Sequence, residues 1–158
     1  MVFIPNSSQQ TVIWVIDDSP SNHRLVERSL PPNDGSYVLV TYLSGEDAIL
    51  ELEAYLSEYE GAPHFPDIIF MDYYLGETNG GQVTVTIRKL FEEYNFQGPY
   101  IVGHSSMYSC SEVIKTLGGD IAITKNPRKE KSRDIVSLFP KLSAIALFAA
   151  RGRQRLPQ

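Results

Sequence analysis

Three aspartates, a serine and a lysine stand directly after apolar segments of strand length. Asp17 and Asp18 follow TVIWVI, and Asp72 follows IIFM. Ser105 follows YIVGH, and Lys125 follows IAIT. Clustered carboxylates repel one another and therefore need a cation, and hard oxygen ligands with room for water suit Mg²⁺ better than zinc or copper. If the fold brings these residues together, the chemistry that they indicate is the binding of a divalent cation.

The elements that must position these residues alternate along the chain. Apolar runs of strand length are separated by segments of helical periodicity, which is typical of a parallel sheet covered by helices on both faces. The pattern predicts a doubly wound α/β domain with five strand and helix pairs. The predicted strands are Thr11 to Ile16, Tyr37 to Tyr42, Asp67 to Met71, Tyr100 to His104 and Asp120 to Thr124.

Several local signals predict where the helices begin. Ser19 precedes Pro20, and Ser44 stands three residues before Asp47, as in helix N-caps. The segment GGQVTVTIRKLFEEY opens with glycines and β-branched residues, which have low helix propensity. Its length and its place in the alternation nevertheless favour a third helix.

In an open parallel sheet, ligands bind at the carboxyl ends of the strands, near the point where the strand order reverses. The three carboxylates, the hydroxyl and the ammonium are therefore expected at one edge of the sheet. Taken singly, each has a simpler explanation as a helix cap, a turn residue or a solvated charge. Those explanations leave the convergence of residues from four strands unaccounted for. We therefore predict that the acid pair and Asp72 bind Mg²⁺ together.

Composition limits the possible functions. The chain of 158 residues is sized for one domain, and its net charge of −5 argues against general binding to nucleic acid. Cys110 is the single cysteine, so an intrachain disulfide is impossible and a reducing compartment is expected. The sequence shows neither a signal peptide pattern nor an apolar run of membrane-spanning length. These features predict a soluble cytoplasmic protein.

Taken in order, the fragments VIDDS, IIFMDYYLGETNGG, IVGHSS and ITKNP resemble the receiver domain of two-component response regulators, in the single-domain form of chemotaxis regulators. The resemblance covers about residues 11–139. Residues 1–10 would then be an N-terminal extension and residues 140–158 a C-terminal extension. The fold that it implies is flavodoxin-like, with a five-stranded parallel sheet in the order 2-1-3-4-5.

The resemblance also implies a role for each residue at the edge. Asp72 would accept a phosphoryl group from a phosphohistidine on a histidine kinase or a histidine phosphotransfer protein. Lys125 would pair with one phosphoryl oxygen, and Ser105 would donate a hydrogen bond to another. Such a protein catalyses only its own phosphorylation and dephosphorylation. The implied Mg²⁺ ligands are Asp17, acting partly through water, Asp18, Asp72 and the backbone carbonyl of Tyr74.

The chain departs from the receiver pattern at three positions. Ala122 stands where the family has an aromatic side chain that reports phosphorylation, so that form of signalling is in doubt. Asn126 separates Lys125 from Pro127, which leaves open whether the Lys125–Asn126 or the Asn126–Pro127 peptide is cis. Gly76 replaces a common proline and is expected to free the loop after Asp72.

Two further residues carry expectations. Tyr74, two residues past Asp72, occupies a position that in the family borders the path of attacking water, so slow loss of the phosphoryl group is predicted. A tyrosine that simply lies on the surface is an equal alternative. His104 should face away from Ser105, because side chains alternate along a strand, and should pack under a helix.

The chain after the fifth strand is too short for an independent effector domain, so the expected output is protein–protein interaction. Pro140 should end or restart the last helix. Beyond it, Leu142, Ile145 and Phe148 could form a helical stripe that contacts a second copy or an effector, and RGRQR reads as a solvated basic tail.

Three alternatives stay open at this point. The chain could be a receiver-like interaction module that signals without phosphate, as Ala122 suggests. It could also be the receiver piece of a hybrid histidine kinase. A phosphatase of the haloacid dehalogenase kind would need a carboxylate two residues past its nucleophile, where Tyr74 stands.

Overall fold

Strands and helices alternate along the chain, as the sequence pattern predicts. The computed structural model describes residues 10–33, 35–58, 65–126 and 134–141. The elements are β1 (Thr11–Ile16), α1 (Pro20–Ser29), β2 (Tyr37–Tyr42), α2 (Gly45–Ser57), β3 (Ile68–Met71), β4 (Tyr74–Leu75), β5 (Thr78–Asn79), α3 (Gly80–Glu93), β6 (Tyr100–Ser105), α4 (Tyr108–Thr116), β7 (Ile121–Thr124) and a 3₁₀ helix (Val136–Lys141).

Five of the strands form one parallel sheet in the order β2-β1-β3-β6-β7. This is the predicted order 2-1-3-4-5, and the five predicted strands agree with the observed ones to within one residue at each end. From β1 the chain adds β2 on one side and then β3, β6 and β7 on the other. The strand order therefore reverses between β1 and β3, so the carboxyl ends of these two strands flank the reversal point.

Apolar side chains fill a layer on each face of the sheet. Side chains on a strand alternate between the two faces, so Trp14 and Ile16 join one cluster while Ile13 and Val15 join the other. The first cluster packs against α2, α3 and α4, and the second packs against α1 and the 3₁₀ helix. Because both faces are covered, the strands read as continuous apolar runs in the sequence.

The predicted start of α2 is confirmed, but the cap of α1 is built differently from the prediction. Ser44 accepts a hydrogen bond from the Asp47 amide at 3.1 Å. Ser19 occupies the N-cap position of α1, but its hydroxyl contacts the Ser21 hydroxyl at 2.8 Å and caps no backbone amide. The main-chain amide of Ser19 itself donates to the carboxylate of Asp17 at 3.0 Å, which fixes the chain just before α1.

The third helix forms despite its weak intrinsic propensity. The Asn79 side chain accepts a hydrogen bond from the Gln82 amide at 3.0 Å and so caps α3. Val83, Ile87 and Leu90 bury one face of the helix against the sheet. Burial of that face, together with the cap, outweighs the cost of two glycines and the β-branched residues.

A short hairpin follows Asp72 and was not predicted. Strands β4 and β5 pair antiparallel through a two-residue loop, with Tyr74 opposite Asn79. Gly76 takes a φ of +74°, which glycine adopts without strain and which type II′ hairpin turns need at the first loop position. The expectation that Gly76 frees this loop is therefore wrong, because the glycine allows an ordered tight turn.

Beyond β7 the structure describes a single short element. Ile135, just before the 3₁₀ helix, and Leu138, within it, pack onto the core. Pro140 also lies within this helix, so it does not end it as expected, while a helix restarted after Pro140 would fall outside the described residues. The expected stripe of Leu142, Ile145 and Phe148 lies outside the described residues, as do the RGRQR tail and most of the N-terminal extension. None of the helices in the described ranges is long and apolar enough to cross a membrane.

Candidate functional site

Three carboxylates meet at the edge of the sheet where the strand order reverses. Asp17 and Asp18 directly follow β1, and Asp72 directly follows β3. The register that pairs Ile16 with Met71 places these two strand ends side by side. Carboxylate oxygens of Asp17, Asp18 and Asp72 all lie within 4.8 Å of one another, with Asp17 and Asp72 buried and Asp18 exposed. The three acids thus lie together at one edge of the sheet, as predicted.

Lys125 lies between two of these acids. Its Nζ is 2.5 Å from Oδ2 of Asp17 and 3.0 Å from Oδ1 of Asp72. The lysine side chain is only 8% exposed, and it reaches the acids from the end of β7. Burial of two neighbouring carboxylates is costly unless a cation compensates them, and Lys125 is that cation. One lysine against three carboxylates leaves the cluster with net negative charge.

Burial raises the pKa of Asp72 above its ordinary value. The positive charge of Lys125 opposes this effect, whereas the negative charge of Asp17 adds to it. The ionised form of Asp72 is therefore poorly solvated and gains from any further positive charge placed beside it.

Two residues of α1 hold Asp17, and the sequence reasoning assigned neither of them to the site. Asn22 donates its side-chain amide to Oδ1 of Asp17 at 3.1 Å, the same oxygen that accepts the Ser19 amide. His23 donates from Nε2 to the main-chain oxygen of Asp17 at 2.7 Å. Their place in the first turn of a helix that follows the acid pair was the available signal. Asp17 is thus oriented from α1 on one side and from Lys125 on the other.

Ser105 is buried at the end of β6, next to Lys125. Its main-chain oxygen accepts the Lys125 amide at 3.0 Å, and its own amide donates to the Ser111 hydroxyl at 2.8 Å. The Ser105 hydroxyl accepts the Met107 amide at 3.3 Å. Among the described residues, no hydrogen bond joins this hydroxyl to the carboxylates. The fold therefore brings Ser105 to the same edge of the sheet, with its hydroxyl bonded to the start of α4.

Tyr74 begins the hairpin after Asp72 and reaches toward α4. The side chain is 57% exposed, and its hydroxyl lies 4.0 Å from Sγ of Cys110. Its ring also meets the Tyr73 ring edge to face, with centroids 5.1 Å apart. Tyr74 thus spans from β4, in the hairpin that follows Asp72, to the helix that follows Ser105. The role of its carbonyl as a metal ligand stays a prediction.

The positions that depart from the receiver pattern are also defined. Ala122 is buried in β7 and pairs with Gly103 of β6. The Lys125–Asn126 peptide is trans, since the described part of the chain has no cis peptide, and the Asn126 amide bonds to the Thr124 hydroxyl at 3.1 Å. The Asn126–Pro127 peptide lies outside the described residues.

His104 packs in the core, as predicted from the alternation of side chains along β6. It is buried against the ring of Phe70, with centroids 5.8 Å apart, in the layer on the α1 side of the sheet. Its Nε2 atom has no hydrogen-bond partner in the described ranges. Burial, and to a lesser degree the charge of Lys125, lowers the pKa of His104 to about 3, so the ring is neutral.

Sequence comparison leaves the chain unassigned, whereas comparison of structures gives clear matches. The chain matches no protein-family model and no curated protein. The receiver domain of the histidine kinase CKI1 from Arabidopsis thaliana, complexed with Mg²⁺ and BeF₃⁻, gives a TM-score of 0.63 at 20% identity over 85% of this chain and 90% of that one. The phosphorylated cyanobacterial phytochrome response regulator RcpA gives 0.61 at 22% identity over 94% and 99%.

A third match is the signal receiver domain of a putative Luxo repressor from Vibrio parahaemolyticus, with a TM-score of 0.57 at 17% identity over 87% of this chain and 94% of that one. The sheet order and the helix layers define a flavodoxin-like α/β fold. Within that class, the solved structures identify it as the receiver-domain fold. At these identities the matches establish the fold, and the function has to be argued from the site.

Proposed function

We propose that this chain is a response-regulator receiver in a two-component phosphorelay, and that Asp72 is its phosphoacceptor. The observation that supports this most directly is the position of Lys125 between Asp17 and Asp72, with Asp18 beside them. A structural ion pair would need one acid and one base. Asp18, a third acid at the same edge, adds a carboxylate oxygen within 4.8 Å of the other two, which suits a site that takes up a cation and an anionic group.

The acids fit a bound Mg²⁺. The donor set consists of oxygen atoms alone, and carboxylate oxygens within 4.8 Å of one another lie close enough to share an ion that keeps several waters. Asp17, Asp18 and Asp72, with the carbonyl of Tyr74, would hold it. When bound, the ion would neutralise negative charge on the phosphoryl oxygens.

The chemical step that we propose is transfer from a phosphohistidine. An oxygen of ionised Asp72 attacks phosphorus, the bond from phosphorus to the histidine nitrogen breaks, and an acyl phosphate forms on Asp72. Lys125 would then pair with a phosphoryl oxygen in place of a carboxylate, and the Ser105 hydroxyl would donate a hydrogen bond to another oxygen. Positioning and charge neutralisation account for most of the catalysis in such transfers.

The partner implied by this chemistry is a histidine kinase or a histidine phosphotransfer protein. Output would be through protein–protein contact, including the dimer or effector contact expected of residues 140–158. Cytoplasmic location follows from the composition and stays a prediction, as does the division of the chain into a receiver over 11–139 with two extensions. The receiver piece of a hybrid kinase would use the same chemistry.

A receiver-like module that signals without phosphate is the second candidate. Buried Ala122 favours it, because the usual aromatic reporter is missing. The buried contact of Lys125 with two acids opposes it, since a module of this kind would gain stability from an apolar replacement of these charges.

Binding of BeF₃⁻ with Mg²⁺, followed by ¹⁹F NMR, tests the proposal. We expect bound-fluoride resonances in the wild type and in the exposed control Asp47→Asn, and none in Asp72→Asn. Resonances absent from the wild type would favour the phosphate-independent module. Turnover of many phosphomonoesters would favour a phosphatase.

A further inference from the structure

Ser105 connects the proposed phosphoryl site to α4 through its main chain. On one side its carbonyl accepts the amide of Lys125, whose ammonium lies between the acids. On the other side its amide donates to Ser111, which lies within α4 and is fully buried. The Ser111 hydroxyl on α4 is therefore the hydrogen-bond acceptor for the main-chain amide of Ser105, and Ser105 also carries the hydroxyl of the proposed site.

Small residues bring α4 directly onto the strands at this point. Gly103 lies two residues before Ser105, and a Cβ added to it would meet the main-chain oxygen of Ser111 at 2.6 Å. Gly103 pairs with Ala122 on β7, so the neighbouring strand also presents a small side chain. No bulky side chain therefore separates α4 from the strands at this point. An aromatic residue at position 122 would separate them.

We propose that Ser111 is a positioning residue that couples the phosphoryl site to α4, in place of the missing aromatic reporter at Ala122. This inference rests on the proposed function. When the Ser105 hydroxyl turns from the Met107 amide toward a phosphoryl oxygen, the strand end shifts with it. The Ser105 amide then draws Ser111, and with it α4.

Close packing is what makes this coupling effective. Protein interiors have few voids and low compressibility, so a shift of one packed element is passed to the next. The shift would reach the outer surface of α4, where Met107, Val113 and Leu117 are exposed. Phosphorylation would then change the apolar surface that α4 offers, without any aromatic rotation on β7.

Hydrogen exchange of the α4 amides, measured with Mg²⁺ in the presence and absence of BeF₃⁻, tests the proposal. In the wild type we expect BeF₃⁻ to change the exchange rates over residues 108–117 several-fold. In Ser111→Ala, which removes only the acceptor, BeF₃⁻ should still bind by ¹⁹F NMR but the exchange rates should no longer respond. Ser109→Ala on the exposed face of α4 is the matched control and should respond as the wild type does.

A second pair of variants separates loss of the hydroxyl from any effect of altered packing, because both add similar bulk at this buried position. Ser111→Thr and Ser111→Val have nearly the same shape, and only the first keeps the hydroxyl, so we expect the response to BeF₃⁻ in the first alone. A purely structural role would change exchange equally with and without BeF₃⁻, and that result would overturn the proposal.

BeF₃⁻ binding and α4 exchange together separate a failure of the coupling through Ser111 from a failure of the proposed function. Binding of BeF₃⁻ to the wild type without any change in α4 exchange would overturn the coupling through Ser111 and leave the phosphoacceptor standing. An unchanged response in Ser111→Ala would do the same. Absence of BeF₃⁻ binding to the wild type would overturn both.

Discussion

The ammonium of Lys125 lies 2.5 Å from a carboxylate oxygen of Asp17, although 108 residues separate the two in the chain. The pair joins the ends of β1 and β7, and Asp72 at the end of β3 shares the same lysine. Removal of one partner of such a buried pair would leave the other charge buried and uncompensated. The lysine therefore has a structural role as well as the role in phosphate binding that we propose.

Replacement of Lys125 by methionine should separate these two roles. Removal of one partner of a buried ion pair costs roughly 3 to 5 kcal/mol, because the remaining charges are left uncompensated. We expect a loss of this order in urea unfolding, and we expect added Mg²⁺ to restore more stability to Lys125→Met than to the wild type. The exposed control Lys89→Met should change stability little. Equal effects of Mg²⁺ on the wild type and Lys125→Met would argue against a shared cation position.

Replacement of Asn22 by alanine should weaken metal binding. Asn22 donates to Oδ1 of Asp17, and loss of one such hydrogen bond costs about 1 kcal/mol, which is roughly fivefold in an equilibrium constant. We expect a weaker Mg²⁺ affinity of that order by titration calorimetry. The exposed variant Ser21→Ala is the control. An unchanged affinity would show that Ser19 and Lys125 suffice to orient Asp17.

The two glycines near Asp72 should differ in their sensitivity to alanine. A Cβ on Gly80 would collide with the main-chain oxygen of Asp72 and the side chain of Met71, so Gly80→Ala should destabilise strongly and abolish metal binding. A Cβ on Gly76 would meet nothing within 4 Å, and only its positive φ opposes alanine, at a cost of about 1 kcal/mol. Thermal unfolding of both variants checks the order, and equal losses would contradict it.

The neutral, buried ring of His104 should make stability fall in acid. Its pKa is about 3 in the folded protein, below the ordinary value of 6.5. Between these values the unfolded chain binds more protons than the folded one, so the free energy of unfolding decreases as the pH falls from 6.5 toward 3, by at most about 1.4 kcal/mol per pH unit from this group.

The comparison of the wild type with His104→Leu isolates this contribution, since carboxylates such as Asp72 titrate in both proteins. We expect the decrease in stability from pH 6.5 to pH 4.5 to be smaller in His104→Leu. Parallel curves of unfolding free energy against pH would mean that the pKa of His104 is not lowered in the folded protein.

The fold was largely predictable, because the signals for it are local. The continuous apolar runs of β1 and β3 indicate strands covered on both faces, and they end at Asp17 and Asp72, where the chain turns polar. Once the strand order is known, the meeting of these acids follows from the geometry of a parallel sheet. The carboxylate of Asp17 accepts the Ser19 amide, as the structural explanation predicts, and it also faces Lys125, while its role as an Mg²⁺ ligand stays a prediction.

Other features of the structure were not predicted, in part because several hydrogen-bond partners compete for one polar group. Ser19 was the expected cap, but its hydroxyl contacts the Ser21 hydroxyl and caps no helix amide, and a propensity for caps cannot decide between two such partners. The hairpin at Gly76 was missed because two-residue strands carry too short a pattern. Asn22 and Ser111 act through hydrogen bonds to Asp17 and Ser105, which depend on how a helix sits on the sheet and leave no spacing signal.

Tyr74 should control how long the proposed acyl phosphate lasts. It extends from β4, in the hairpin that follows Asp72, to Cys110 on α4, and a bulky side chain there would hinder water. On the basis of the proposed function, we expect faster loss of phosphate from Tyr74→Asn than from the wild type, while the control Tyr94→Asn at the end of α3 should match the wild type. Identical lifetimes in all three would place Tyr74 on the surface without a role.

Chemical trapping of the phosphorylated residue tests the central claim most directly. The chain would be incubated with Mg²⁺ and acetyl phosphate, reduced with borohydride, which converts an aspartyl phosphate to homoserine, and mapped by peptide mass spectrometry. We predict homoserine at position 72 and at no other aspartate. Labelling of another residue, or none when the same treatment labels a known response regulator, would contradict the assignment of Asp72 as a phosphoacceptor.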